Sequence, residues 1–181
     1  MSSGKIKVFI KALGFFVLHF GRSPVQRVAA CGHSWTWHST PGAQKVVVLG
    51  GSFAGIELTL PTGYKAVWIE KNSNLNYSFN SPRFSVLTGH EQTAFIPYDG
   101  VAKGAPPGIF ARIQDRAVAI TENQVLLASG DHVEYAYLAI ETGSFQPLPV
   151  QLVSTELNGA CHELKGVQQI IMASQKIAII Y

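Results

Sequence analysis

Hydrophobic positions in this chain fall into two kinds of run. Unbroken apolar stretches stand at 45–49 (KVVVL), 67–69 (VWI), 137–140 (YLAI) and 176–180 (KIAII). That is the pattern of strands buried on both faces of a parallel sheet. Shorter, alternating stretches stand at 117–121 (AVAIT), 124–127 (QVLL) and 132–135 (HVEY). The turn residues Glu122-Asn123 and Ser129-Gly130-Asp131 separate them, and together they predict a small antiparallel meander. Residues 53–60 predict one short helix before Pro61, and 165–174 a second. Residues 108–113 (GIFARI) fit either the end of a helix or the start of a strand. Two stretches read as loop: the polar, turn-rich 71–80, and 88–108 with its Pro97, Pro106 and Pro107. The 141–147 stretch (ETGSFQP) is a sharp turn whose small residues let backbone come close to a ligand.

The N-terminal pattern is of another kind. Residues 8–20 (VFIKALGFFVLHF) are nearly all apolar, too short for a comfortable membrane span of about 20 residues. Ile6, Phe9, Leu13, Phe16 and Phe20 recur at helical spacing, with Lys7 and Lys11 on another side. This suits a helix lying in a membrane interface. A secretory signal ending near 27–30 (RVAA), a basic mitochondrial presequence and a helix buried against the domain remain alternatives. Residues 21–44 are rich in Ser, Gly and Pro without a clear period, and read as an irregular linker. Cys31, His33 and His38 lie close together there, but their spacing matches no standard metal site and no fourth ligand is near, so no metal is assigned.

Composition sharpens this picture in three ways. At 181 residues a single domain with a proper core is expected. Charged residues are 14% of the chain and hydrophobic ones 47%, so the chain is unusually apolar without being a polytopic membrane protein. The net charge of +3 is uneven: no acid precedes Glu57, while Lys5, Lys7, Lys11, Arg22, Arg27 and Lys45 all do. A basic end on a near-neutral remainder points to a membrane surface or a targeting segment, and not to nucleic acid. It leaves two settings open, the cytoplasmic face of a membrane or association with mitochondria. Cys31 and Cys161 form no paired motif, which fits a reducing compartment.

The candidate chemistry lies where the first parallel-type run meets Gly50-Gly51-Ser52-Phe53-Ala54-Gly55 and the second ends on Glu70. Strand, glycine turn, short helix, strand and terminal acid are the order of a dinucleotide-binding βαβ unit. The glycines let backbone N–H groups approach a pyrophosphate at the positive end of a helix. Glu70, 70 − 50 = 20 residues beyond Gly50, is placed to accept hydrogen bonds from a ribose diol. Two features depart from this pattern. Ser52 stands where the middle glycine of G-x-G-x-x-G belongs. The helix, at 1.5 Å per residue, rises only about 12 Å. Crossovers of this type usually take about a dozen residues or more.

Taken together, G-G-S-x-A-G, the strand ending on Glu70, Asn80-x-Pro82-Arg83-Phe84, the meander and the strand running into Thr142-Gly143-Ser144 resemble one known group. It is the two-dinucleotide-binding-domain flavoproteins, closest to the apoptosis-inducing-factor-like NAD(P)H:quinone oxidoreductases, kin of type II NADH dehydrogenases. The resemblance covers residues 45–181. It implies an α/β fold: a Rossmann-like FAD-binding domain with a three-stranded antiparallel meander. It implies FAD as cofactor, with NAD(P)H and a quinone-type acceptor used by the complete family member. By motif, Gly50, Gly51, Ser52 and Gly55 would cradle the FAD pyrophosphate, and Glu70 with Lys71 would hold the adenosine ribose end. Val118 would meet the adenine through its backbone, Arg83 would face the flavin, and Thr142 and Gly143 would close over the cofactor. Glu141 departs from the family's usual alanine and sets a carboxylate near an anionic ligand.

In that family the strand at 176–180 opens the nicotinamide domain. The short first helix, the irregular 21–44 segment and the ending at Tyr181 therefore read as an incomplete flavoprotein. The expected organisation is a membrane-associating or targeting segment at 1–20, a linker at 21–44 and an incomplete FAD-binding domain at 45–181. Such a chain would be inactive or weakly active alone. The cofactor carries the chemistry, so no catalytic residue is nominated. His90 and His132 read as loop or surface histidines, and Tyr77 and Phe79 as core residues, with packing against the flavin as the alternative. Two alternatives stand beside this reading: a non-enzymatic, degenerate Rossmann-like nucleotide-binding or interaction module, and a single-domain NAD(P)-dependent reductase. The meander and the lack of a Tyr-x-x-x-Lys pair after the sheet count against the reductase.

Overall fold

A computed structural model describes residues 32, 42–51, 63–101, 103, 105–148 and 150–178. The N-terminal segment 1–20, most of the linker, Ser52, Gly55, the short helix at 53–60 and residues 179–180 lie outside the described residues.

Strand β1 (Gln44–Leu49) occupies the middle of a four-stranded parallel sheet. Strand β2 (Tyr64–Ile69) lies on one side with β5 (Phe110–Ile113) beyond it, and β9 (Tyr137–Ile140) lies on the other. Val47 pairs in register with Val67 and with Leu138, and Val67 with Ala111. The side-chain period of two sends alternate residues of β1 and β2 to opposite faces. Val47, Leu49, Val67 and Ile69 pack against Val125, Leu127 and Val133 of the meander. Its strands are β6 (Ala117–Ile120), β7 (Gln124–Leu127) and β8 (His132–Glu134), antiparallel as the alternation predicts. Val48 and Trp68 face the other way, onto Leu75 and Tyr98.

On that second side β3 (Asn74–Asn76) pairs antiparallel with β4 (Phe95–Pro97), a ribbon inside two stretches that read as loop. The helical turn α1 (Ser81–Phe84) and the helix α2 (Leu157–Ala173) complete this half. Ala160, Cys161 and Leu164 form the apolar stripe of α2 and pack on Phe84, Ala94 and Phe95. Gln168 continues the stripe and is buried, with its amide donating to the carbonyls of Phe84 (2.8 Å) and Leu87 (3.1 Å). The Ser73 hydroxyl accepts from the Leu157 N–H, so a side chain distant in sequence caps the first turn.

Three expectations are corrected. The helix expected at 165–174 begins at Leu157, because packing of its stripe outweighs the helix-weakening Gly159 and Gly166. Residues 176–178 form no strand, and Ile177 is exposed; an apolar run signals a tendency to be buried, but a ladder also needs a neighbour to pair with. Phe79 is 81% exposed and touches Tyr77 edge-on, so it is no core residue. The ambiguous 108–113 stretch resolves as the edge strand β5.

Candidate functional site

The carboxyl ends of β1, β2 and β9 meet at one edge of the sheet, the place where open α/β sheets bind ligands. Gly50 leaves β1 with φ +105°, a conformation that side chains rarely adopt. A Cβ there would stand 2.4 Å from the Glu141 carbonyl oxygen, so β9 passes directly against it. Gly51 is wedged on its other side: a Cβ would lie 2.6 Å from the Tyr98 hydroxyl and 2.8 Å from a Glu70 carboxylate oxygen. Both glycines are therefore required by close approach.

Side chains from behind the sheet edge fix the two glycine peptides. The Trp68 indole N–H donates to the Gly50 carbonyl at 2.6 Å, and the Tyr98 hydroxyl donates to the Gly51 carbonyl at 3.0 Å. The Gly51 N–H donates to one oxygen of Glu70, and the Asn72 N–H donates to the other at 2.8 Å. Arg112 donates to the carbonyls of Asn72 (3.0 Å) and Ser73 (3.1 Å). Its guanidinium carbon also lies over the Tyr98 ring, 4.7 Å from the centroid. Gly51, Glu70, Asn72, Arg112 and Tyr98 thus form a closed ring of contacts. Burial holds the Tyr98 hydroxyl well above its ordinary pKa; the charge of Glu70 adds to this and Arg112 opposes it. Tyr98 therefore remains a donor at any physiological pH.

This ring backs a cavity of about 270 Å³. Gly50, Gly51, Glu70, Lys71, Thr142 and Gly143, six of the residues expected from the sequence to bind cofactor, all line it. Glu141 and Glu156 line it too, which makes three carboxylates against one lysine. A second cavity of about 530 Å³ shares Lys71 and Glu156 with the first and adds Arg116 and Phe145. Arg83 is exposed on α1 and lines neither cavity. Val118 is 56% exposed on β6 and also lines neither. Trp68, Tyr98, Asn72 and Arg112 were missed by the sequence reading. Trp68 was hidden as one more apolar residue of a buried strand, and the others sit in stretches without period. No group of three or more potential metal ligands occurs among the described residues.

The residues present suit the ribose and phosphate end of a dinucleotide. Two positions where a Cβ would collide open the turn, and a carboxylate with a fixed orientation stands at the tip of β2. Glu70 is only 7% exposed yet lines the cavity, and its two N–H partners leave further lone pairs for hydroxyl donors.

A parallel sheet with this glycine edge, this acid and this meander is a Rossmann-like α/β fold. The sulfide:quinone oxidoreductase of Aquifex aeolicus shares it with a TM-score of 0.51 at 21% identity, over 72% of this chain and 33% of that one. In sequence, the chain is 39% identical over 66 residues to Fe-regulated protein 8 of Mycosarcoma maydis, covering 33% of this chain and 17% of the relative. It is 26% identical over 148 residues to ferroptosis suppressor protein 1 of Taeniopygia guttata, covering 78% of this chain and 38% of the relative. The matches thus span well under half the length of each relative. No protein-family model matches the chain. The resemblance to FAD/NAD(P)-binding flavoprotein oxidoreductases is borne out as a shared fold and a weak homology.

Proposed function

We propose that this chain is the FAD-binding portion of an NAD(P)H-dependent flavin oxidoreductase that passes electrons to a quinone-type acceptor. The observation that supports this most is the convergence of Gly50, Gly51, Glu70, Thr142 and Gly143 on one cavity at the carboxyl edge of the parallel sheet. Glu70 would hold the ribose hydroxyls, the glycine turn would admit the pyrophosphate, and Thr142 and Gly143 would flank it. Bound there, FAD would supply the two-electron chemistry, taking hydride from NAD(P)H and handing electrons on. The protein's part is to bind, orient and shield. The test is the absorbance spectrum of the purified chain, with the released cofactor identified after denaturation. Stoichiometric FAD supports the proposal; a colourless chain that takes up no FAD on reconstitution refutes it.

One observation favours a second reading, a nucleotide-binding module without enzymatic activity. Among the described residues Glu70, Glu141 and Glu156 line the cavity with Lys71 as the one cation, a poor balance for a pyrophosphate. The cavity also falls just short of the roughly 300–1,000 Å³ of most small-molecule sites. NAD(P)H oxidation with a quinone acceptor tests the second reading in one direction: turnover by the flavin-loaded chain rejects the module, whereas a flavin-loaded chain without turnover fits either. The chain's basic, apolar N-terminus is proposed to lie in a membrane interface. No helix among the described residues is long and apolar enough to cross a membrane. Flotation with anionic vesicles, lost on deleting residues 1–20, is the expected result.

A further inference from the structure

We propose that Tyr98, assisted by Trp68, is a positioning residue for phosphate binding, holding the carbonyls of the glycine turn away from an incoming anion. The proposal rests on the reading of this edge as a nucleotide site and adds what makes the turn accept a phosphate.

Glycine peptides have no side chain to restrict them and rotate readily. A rotated peptide would present a carbonyl lone pair, the wrong end of the dipole, to a phosphate oxygen. Here both carbonyls are occupied by donors that the fold itself supplies. Trp68 is the penultimate residue of β2 and is buried; its indole N–H reaches the Gly50 carbonyl at 2.6 Å. Tyr98 follows β4, on the far side of the β3–β4 ribbon, and its hydroxyl reaches the Gly51 carbonyl at 3.0 Å. The two rings pack edge to face with centroids 4.8 Å apart, so each fixes the other. Arg112 covers the Tyr98 ring and ties it to the carbonyls of residues 72–73. The same Gly51 that gives its carbonyl to Tyr98 gives its N–H to Glu70. The carbonyl and the N–H of Gly51 belong to two successive peptides, so the one held by Tyr98 and the one held by Glu70 can be perturbed separately.

That division supplies the test. Tyr98→Phe keeps the ring under Arg112 and against Trp68 and removes only the hydroxyl. The full chain and this variant are titrated with ADP and with adenosine by NMR, which reads millimolar affinities, and both are checked by far-UV circular dichroism and thermal melting. ADP affinity is expected to fall about tenfold, the effect of one lost hydrogen bond to a buried carbonyl, with adenosine affinity changed less than about twofold. Equal weakening for both ligands, or no change for ADP, overturns the proposal while leaving the site reading intact. A wild-type chain that binds neither ADP nor FAD overturns the site reading itself, and the proposal with it. If Tyr98→Phe does not fold, Trp68→Phe is read with the same two ligands against the same criterion.

Discussion

On one face of the four-stranded sheet Val47, Leu49, Val67 and Ile69 meet Val125, Leu127 and Val133; on the other, Val48 and Trp68 meet Leu75 and Tyr98. The buried residues of the first layer are all aliphatic, with the half-buried Tyr135 packed against them. The second is centred on Trp68 and Tyr98, with Phe110 packed beside them, and each of the first two rings carries a polar tip that ends on a glycine carbonyl. Successive residues of the same two strands build both layers. Aliphatic side chains can only be packed, so the meander face contributes stability and nothing to recognition. Trp and Tyr pack equally well but must also place their N–H and O–H. The packing of the second face therefore fixes the binding edge as a by-product. Stability and ligand selection are separated by a step of one residue along a strand.

Substitutions divide accordingly. Gly50 sits where the two faces run out into the site, and Gly50→Ala is expected to cost most. Its positive φ and the collision with the Glu141 backbone together predict a loss of about 4 kcal/mol, read by urea unfolding. A loss under about 1 kcal/mol would mean that β9 does not press on the turn. Leu127→Ala, in the aliphatic layer, is expected to cost about 3 kcal/mol of stability while leaving the FAD affinity of the folded protein unchanged. Trp68→Phe should show the reverse balance. It keeps most of the packing, loses about 1 kcal/mol for the missing bond to Gly50, and weakens FAD binding severalfold. If Leu127→Ala weakens binding as much as Trp68→Phe does, the division between the faces fails.

The smallest effect is a pH dependence at the rim. Glu163 accepts from the N–H groups of Val153 (2.8 Å) and Ser154 (2.7 Å) and from the Ser154 hydroxyl, tying the wall of the second cavity to α2. Burial pushes its pKa up, but these hydrogen bonds outweigh burial and leave it below the ordinary carboxylate value. A lowered folded-state pKa means that the tie is at full strength above the unfolded value and is lost as pH falls through the folded one. Proteolytic nicking in residues 150–156 should therefore increase as pH falls below the ordinary glutamate range, and Glu163→Gln should nick readily at every pH. Nicking that is independent of pH in the wild-type chain would remove Glu163 from the account.

The period-two and unbroken apolar runs made most of this sheet legible: β1, β2, β9 and all three meander strands stand where their patterns put them. Their legibility has a physical cause, since each strand's pattern records which of its faces is buried. Gly50, Gly51 and Glu70 were legible because turn geometry and strand length fix their spacing. The β3–β4 ribbon was not, because Asn74 and Asn76 flank a single buried Leu75 and Pro97 stands at its end. Tyr98 and Arg112 were not legible either. Their contact depends on a ribbon and an edge strand meeting in space, which no local pattern encodes. The long α2 was half seen, for its stripe passes through two glycines that propensity alone would exclude.

Backbone hydrogen exchange of the full chain with and without saturating FAD separates the two faces. Slowed exchange is expected at residues 50–51, 70–72 and 141–144, with β7 and β8 unchanged because they touch only the aliphatic face. Protection confined to the meander, or no protection anywhere, would contradict that expectation.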